Sequence, residues 1–254
     1  YSRGSTLRRM LQRALSGADT VVTIAECNRQ ELENIEAGVS AKLVVIPPAI
    51  ESTQSPEHLD TIRLSGNPVL FTISRLVERK GIDTTIFAVA LLKDEFPEMR
   101  YYIAGRGPDE LRLQTLAKEL GIVDRVIFLG PVPAPDFLFP QADIFCMPNR
   151  MLESGEREGF GMVFLEAALH GVTSIAGRSG GAVEAVLDGE TGMLVTPNSV
   201  EELADTIRKL AVDVELRRRL GEAARKYAES FSRQRMARAY VNSVAQLISR
   251  DNGT

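Results

Sequence analysis

Val69-Leu70-Phe71-Thr72-Ile73-Ser74-Arg75-Leu76-Val77-Glu78-Arg79-Lys80-Gly81 is the stretch on which the fold turns. Its first six residues read as a buried strand. A basic loop from Arg75 to Gly81 follows, and then an apolar-periodic helix from Ile82 to Phe96. Cations at the carboxyl end of a parallel strand sit where open α/β sheets bind ligands. Arg75 can bridge two phosphate oxygens, and Lys80 adds a point charge. Taken alone, the loop also reads as a solvated turn whose charges keep it in water.

Working outward, the same alternation repeats. Strands are expected at Val69–Ser74, Tyr101–Ala104, Val126–Leu129, Ile144–Met147, Thr173–Ala176 and Met193–Val195. Helices are expected at Ile82–Phe96, Asp109–Leu120, Gly161–His170 and Gly181–Val186, with a short turn near Ala134–Phe139. This order predicts an α/β fold: a Rossmann-like, doubly wound parallel sheet with helices on both faces. The tail reads as three helices, Val200–Ala211, Val214–Ser230 and Arg233–Ser249, with Ser199 and Ser232 as N-caps. Before the sheet come a basic amphipathic helix near Thr6–Leu15, a strand at Thr20–Ile24 and a helix near Asn28–Ala37. Val44-Val45-Ile46-Pro47-Pro48 reads as a stiff, extended linker, because consecutive prolines restrict the backbone.

A second constellation lies in Glu158-Gly159-Phe160-Gly161-Met162-Val163-Phe164-Leu165-Glu166. Glu158 falls in the loop before a helix and Glu166 in its second turn, eight positions on. Free N–H groups at the helix start between them form a ready anion site. Such a site suits a ligand that is anionic in the middle and hydroxyl-rich at both ends, as a nucleoside-diphosphate sugar is. On spacing alone, two solvated acids on an ordinary strand–loop–helix turn is the favoured reading.

Together these motifs resemble the family 4 glycosyltransferases, retaining enzymes of the GT-B fold. Arg75-Leu76-Val77-x-x-Lys80-Gly81 pairs with Glu158-x7-Glu166. Ala104-Gly105-Arg106-Gly107-Pro108, Val126–Val132, Ala176–Gly181 and Asp188–Val195 follow in the family's order. Met147-Pro148-Asn149-Arg150 leading into Glu158 is similar to the bacterial phosphatidylinositol and polysaccharide mannosyltransferases.

The resemblance implies the C-terminal half of a GT-B fold with a helical tail. Residues 1–50 would be the remnant of an acceptor domain plus linker. Residues 51–231 would bind the nucleotide sugar, and 232–254 would cross back to the first domain. Arg75 and Lys80 would hold and stabilise the leaving diphosphate, and Glu158 would position the hexose. Glu166 would accept ribose hydroxyls. Gly159, Phe160, Gly161, Met162 and Val163 would meet the distal phosphate and sugar through the backbone. Gly105, Arg106, Pro131 and Val132 would lie near the base. Asn149 and Arg150 would stand near the acceptor or the donor sugar. Glu158 as a covalent nucleophile is the less favoured assignment.

The implied reaction moves a hexose, mannose or glucose, from a GDP-sugar or UDP-sugar to a glycan or lipid-linked hydroxyl. No cofactor and no metal are expected. The rivals are a non-catalytic nucleotide-sugar-binding module and a GT-B epimerase or phosphorylase. The chain begins at Tyr1 and reads as a fragment that binds donor without transferring sugar alone.

Composition narrows the remaining classes. A chain of 254 residues with 44% hydrophobic and 25% charged content can bury a sizeable core unaided. A net charge of −4 argues against a nucleic-acid partner. Cys27 and Cys146 build no disulfide framework, which points to a cytoplasmic setting, with Cys146 as a small core residue. No Gly-x-Gly-x-x-Gly, P-loop, Cys/His cluster or strand-ending Asp-x-Asp is present. His58 is expected to be exposed, and His170 to face the carbonyls and dipole at a helix end. The first helix sets Leu7, Met10, Leu11 and Ala14 beside Arg3, Arg8, Arg9 and Arg13. Packing on a core is favoured for that stripe over peripheral contact with an anionic membrane.

Overall fold

A computed structural model describes residues 5–51 and 62–251. His58 and Arg3 lie outside the described residues. The chain opens with α1 (Ser5–Gly17), β1 (Val21–Thr23), α2 (Cys27–Ile35) and β2 (Leu43–Val45). β1 and β2 pair in parallel, Val21 opposite Leu43 and Thr23 opposite Val45. The expected linker is therefore strand in its first half. The ladder continues to Ile46, whose N–H reaches Thr23 O at 2.8 Å, and Pro47 and Pro48 have no N–H to extend it.

The main body alternates β3 (Val69–Ile73), α3 (Ile82–Leu92), β4 (Arg100–Ala104), α4 (Glu110–Glu119), β5 (Val126–Gly130) and β6 (Ile144–Met147). It continues with α5 (Met162–Leu169), β7 (Thr173–Gly177), α6 (Ala182–Ala185) and β8 (Gly192–Val195). Three helices close the chain: α7 (Val200–Val212), α8 (Val214–Glu229) and α9 (Arg233–Asp251). α3 stops at Leu92 rather than Phe96 and passes into a turn over residues 93–95, and Pro97 disfavours helical geometry at Phe96 itself.

β3 to β8 form one parallel sheet in the order β5-β4-β3-β6-β7-β8. Its central strands are almost wholly apolar because both faces are covered, and the one polar residue of β3, Thr72, is hydrogen-bonded to Tyr101 Oη and Cys146 O. Alternate side chains enter different cores. Phe71, Phe145 and Met147 pack with Phe139, Phe164 and Leu165, while Leu70, Ile144 and Cys146 pack with Ile86, Tyr101 and Ile207. Cys146 is fully buried, and its thiol is pushed up to about 12 by burial.

Counted along the chain, the strand order is that of the doubly wound dinucleotide folds, reversing between β3 and β6. The loops after these two strands flank the crevice where such sheets take ligands. Ser199 and Ser232 accept hydrogen bonds from Glu202 N–H and Arg235 N–H, as N-caps do. α1 divides the stripe read from its sequence. Leu11 and Leu15 pack on Val39 and Leu43, whereas Leu7 and Met10 face outward, 48% and 64% exposed. Among the described residues no helix is long and apolar enough to cross a membrane.

Candidate donor-binding site

The loop after β3 turns through a short 3-10 segment, Glu78–Lys80, and starts α3 at Gly81. Gly81 is left-handed, φ 69°, and a Cβ there would lie 2.1 Å from Pro148 O. Only glycine fits, and the missing side chain lets the β3 and β6 loops touch. Gly105 plays the same part on the other flank: a Cβ there would lie 1.9 Å from Ser74 O. The three carboxyl-end loops thus form one continuous wall.

Lys80 is almost fully buried on this wall, at 8% exposure, and its Nζ lies 2.5 Å from Glu158 Oε2. Arg79 Nη1 reaches the same oxygen at 3.1 Å. Burial pushes the Lys80 ammonium below the ordinary lysine range, although Glu158 opposes the shift. Arg75 is exposed and makes no side-chain ion pair or hydrogen bond among the described residues. Cationic charge at the crevice is therefore partly neutralised by Glu158 and partly free.

α5 begins beside this cluster. Its N-cap, Gly161, has φ 91° and supplies no side-chain cap, so the first N–H groups of the helix point outward from a glycine turn. Phe164, Leu165, Ala167 and Ala168 anchor the helix in the core. Glu166 lies on its half-buried side, and burial, with Asp136 nearby, raises its carboxyl above the ordinary glutamate range. Arg106 is exposed on the β4 loop, while its carbonyl holds Leu76 N–H at 3.0 Å. Pro131 and Val132 follow β5, at the sheet edge beyond β4, with Val132 packed on the core.

The structure unites Lys80, Glu158 and the Gly159–Val163 turn directly. It also adds Arg79, which could have been read from the Arg79-Lys80 doublet. Asn149 and Arg150, expected near the acceptor or the donor sugar, have buried side chains engaged in the fold. Asn149 accepts from Gly177 N–H at 3.2 Å and donates to Ser179 O at 2.9 Å. Arg150 donates to Asp83 and to Asn198 Oδ1, each at 2.8 Å. They sit at the end of a central strand, where neighbouring loops must be tied together. His170 does stand at the α5 C-terminus, but burial lowers its pKa, which works against the charged form that a helix dipole favours. Its ring instead stacks on Phe139, centroids 5.5 Å apart.

The raised Glu166 pKa carries a signed expectation. The native state holds this proton more tightly than the unfolded chain, so the associated stability is present at acid pH and lost as pH rises through the folded pKa. Glu166→Gln should therefore raise the melting temperature at neutral pH and leave it little changed in acid. Scanning calorimetry at two pH values checks this, and a lower melting temperature at neutral pH would contradict it.

A doubly wound parallel sheet with cations and a glycine-started helix at its strand-order reversal defines a Rossmann-type domain suited to a phosphate-bearing ligand. The chain belongs to the Glycosyl transferases group 1 family, whose model its sequence matches over residues 56–227. One relative is the GDP-mannose-dependent alpha-(1-6)-phosphatidylinositol monomannoside mannosyltransferase of Mycolicibacterium smegmatis. It is 35% identical over 231 residues, covering 87% of this chain and 60% of the relative. Another is the D-inositol 3-phosphate glycosyltransferase of Corynebacterium jeikeium, 32% identical over 246 residues, covering 90% of this chain and 57% of the relative. The chain therefore spans about 60% of the length of such relatives. Among solved structures, Anabaena HepE in complex with UDP shares the fold, with TM-score 0.85 and 24% identity over 96% of this chain and 69% of that one.

Proposed function

We propose that this chain is the donor-binding part of a retaining hexosyltransferase that works without a metal ion. The observation that carries the reading is the Lys80–Arg79–Glu158 cluster beside the α5 start, with Arg75 exposed on the same β3 loop and in no side-chain ion pair among the described residues. Three cations and a helix N-terminus can stabilise a diphosphate as it leaves. Glu158, adjacent to that site, faces the hexose, and Glu166 accepts the ribose hydroxyls. The leaving phosphate then helps take the proton of the attacking acceptor hydroxyl on the same face. Two cations on Glu158 Oε2 lower its electron density, which speaks against a covalent nucleophile at this position.

GDP-mannose is the first choice of donor, supported by the name of the mycobacterial relative, and UDP-sugars are the second. A glycan or lipid-linked hydroxyl is the acceptor class. The setting that goes with this is cytoplasmic, with peripheral membrane contact through the outward Leu7 and Met10 and neighbouring Arg9 and Arg13. Residues 1–50 act as the acceptor-side part and linker, 51–231 as the donor domain, and 232–254 as the return crossing.

A thermal-shift screen of GDP, UDP, ADP and their sugars, repeated in EDTA, tests the reading. One nucleotide should stabilise the chain by about 2.7 kcal/mol at 100 times its dissociation constant. Its affinity should be unchanged by EDTA. Loss of binding in chelator would overturn the metal-free mechanism, and silence toward every nucleotide would overturn the donor site.

A further inference from the structure

The turn after β1 lies against the acidic loop. Cys27 Sγ is 3.8 Å from Gly159 O, and a Cβ on Gly159 would lie 3.9 Å from Ile24 Cδ1. Glu184, on α6, places its carboxylate on the N-terminus of α2. It accepts from Glu26 N–H at 2.9 Å and Cys27 N–H at 3.1 Å. These are N–H groups that a helix cannot satisfy internally, so α2 is capped by a residue remote in sequence. Tyr227 Oη donates to the Glu184 carbonyl at 2.8 Å and holds this cap in place.

The residues on either side of Glu158-Gly159 are tied the same way. Arg157 donates to Cys27 O at 2.9 Å and pairs with Glu31. Phe160 meets Phe231 edge to face, centroids 5.6 Å apart, and the Phe231 carbonyl accepts Ile50 N–H at 2.8 Å. The loop that carries Glu158 is thus fastened at one end to α2 and at the other to the chain beyond the Pro47-Pro48 step.

The N-cap of α6, Gly181, donates its N–H to Glu158 O at 3.0 Å, so the helix that bears Glu184 also holds the Glu158 loop. We propose that Glu184, through α6, and Arg157, directly, are positioning residues that fasten the β1–α2 segment to the Glu158 loop, so that this segment sets the aim of Glu158 at the donor sugar. The inference rests on the reading of Glu158 as the sugar-facing carboxylate. It differs from a purely structural role in one respect: loosening the fastening should penalise the sugar and spare the nucleotide, whose phosphates are held by Arg75 and Lys80.

The test uses the 254-residue chain with Glu184→Ala and Glu184→Gln. Hydrogen exchange of residues 154–162 is measured without ligand, and calorimetry is run with GDP and with GDP-mannose. In Glu184→Ala the loop should exchange faster, and GDP-mannose should weaken about fivefold or more while GDP stays within about twofold. Glu184→Gln keeps one accepting oxygen and should recover part of the loss. Unchanged exchange in the loop, or equal losses for the two ligands, would overturn the proposal. If the unaltered chain binds neither ligand, the donor reading fails by itself, and exchange alone decides whether the fastening exists. Should Glu184→Ala not fold, Arg157→Ala is carried through the same measurements with the same expected outcomes.

Discussion

Asp83→Ala is expected to lower the stability of the fold by about 3–5 kcal/mol, because it leaves a buried arginine charge without its main partner. Asp83 and Arg150 are 13% and 9% exposed at their side chains and lie 2.8 Å apart. Arg150 otherwise has only neutral partners close by, Asn198 Oδ1 at 2.8 Å and Thr84 Oγ1 at 3.4 Å, with Glu78 at 3.9 Å, and its Nε is already buried without a hydrogen-bond partner. Urea unfolding at neutral pH gives the measurement. A loss below about 1 kcal/mol, as for exposed pairs, would show that solvent reaches this pair.

The converse variant is equally informative. Asp83→Leu combined with Arg150→Met removes both charges, and most of the stability should return. The pH dependence has a definite sign. Burial acts to raise the Asp83 carboxyl, but the hydrogen bond and charge of Arg150, with Arg112 behind them, bring it below the ordinary range. This contribution is present above the unfolded pKa of about 4 and is lost as pH falls through the lower folded value. Nucleotide affinity should fall with stability in Asp83→Ala, because Arg150 N–H also holds Arg79 O at 2.8 Å and so shapes the phosphate loop.

Lys80→Ala is expected to weaken nucleoside diphosphate binding by about 1.5–3 kcal/mol, a factor of about 10 to 150. The variant loses a buried cation and also leaves the Glu158 carboxylate, 12% exposed, facing the phosphate with only Arg79 to offset it. Glu158→Gln should act oppositely on the bare diphosphate. Removing the acid frees Lys80, so the diphosphate should bind equally well or more tightly, while the intact sugar nucleotide weakens. Calorimetry with both ligands on both variants decides the matter. Diphosphate affinity within about twofold of the unaltered chain in Lys80→Ala would remove Lys80 from the site. The depressed Lys80 pKa adds that affinity should decline on the alkaline side before ordinary lysines titrate.

The sequence by itself determined the order of strands and helices, because periodicity and length are local properties of the chain. Runs that are wholly or almost wholly apolar, such as Ile144–Met147 and Val69–Ile73 with its single Thr72, specify strands buried on both faces wherever they end up. Ser199 and Ser232 mark their helix starts by local hydrogen bonds. The nearness of the basic loop to the acidic loop was legible only as a motif pair, and the strand order that brings them together is a property of the sheet.

Tertiary structure alone decided which polar side chains remain available. Asn149 and Arg150 lie between candidate motifs in the sequence, yet their partners come from elsewhere: Ser179 and Asn198 from two other loops and Asp83 from the first turn of α3. Lys80 and Glu158 stand 78 positions apart and share one contact, so neither can act independently. Val44 and Val45 read as linker because nothing local announces the partner strand that pairs with them. Glu184 caps a helix 157 positions away, and no local pattern encodes that. Backbone elements follow from near-neighbour sterics and burial periodicity, whereas the engagement of a charge depends on whichever loops packing brings within hydrogen-bond reach.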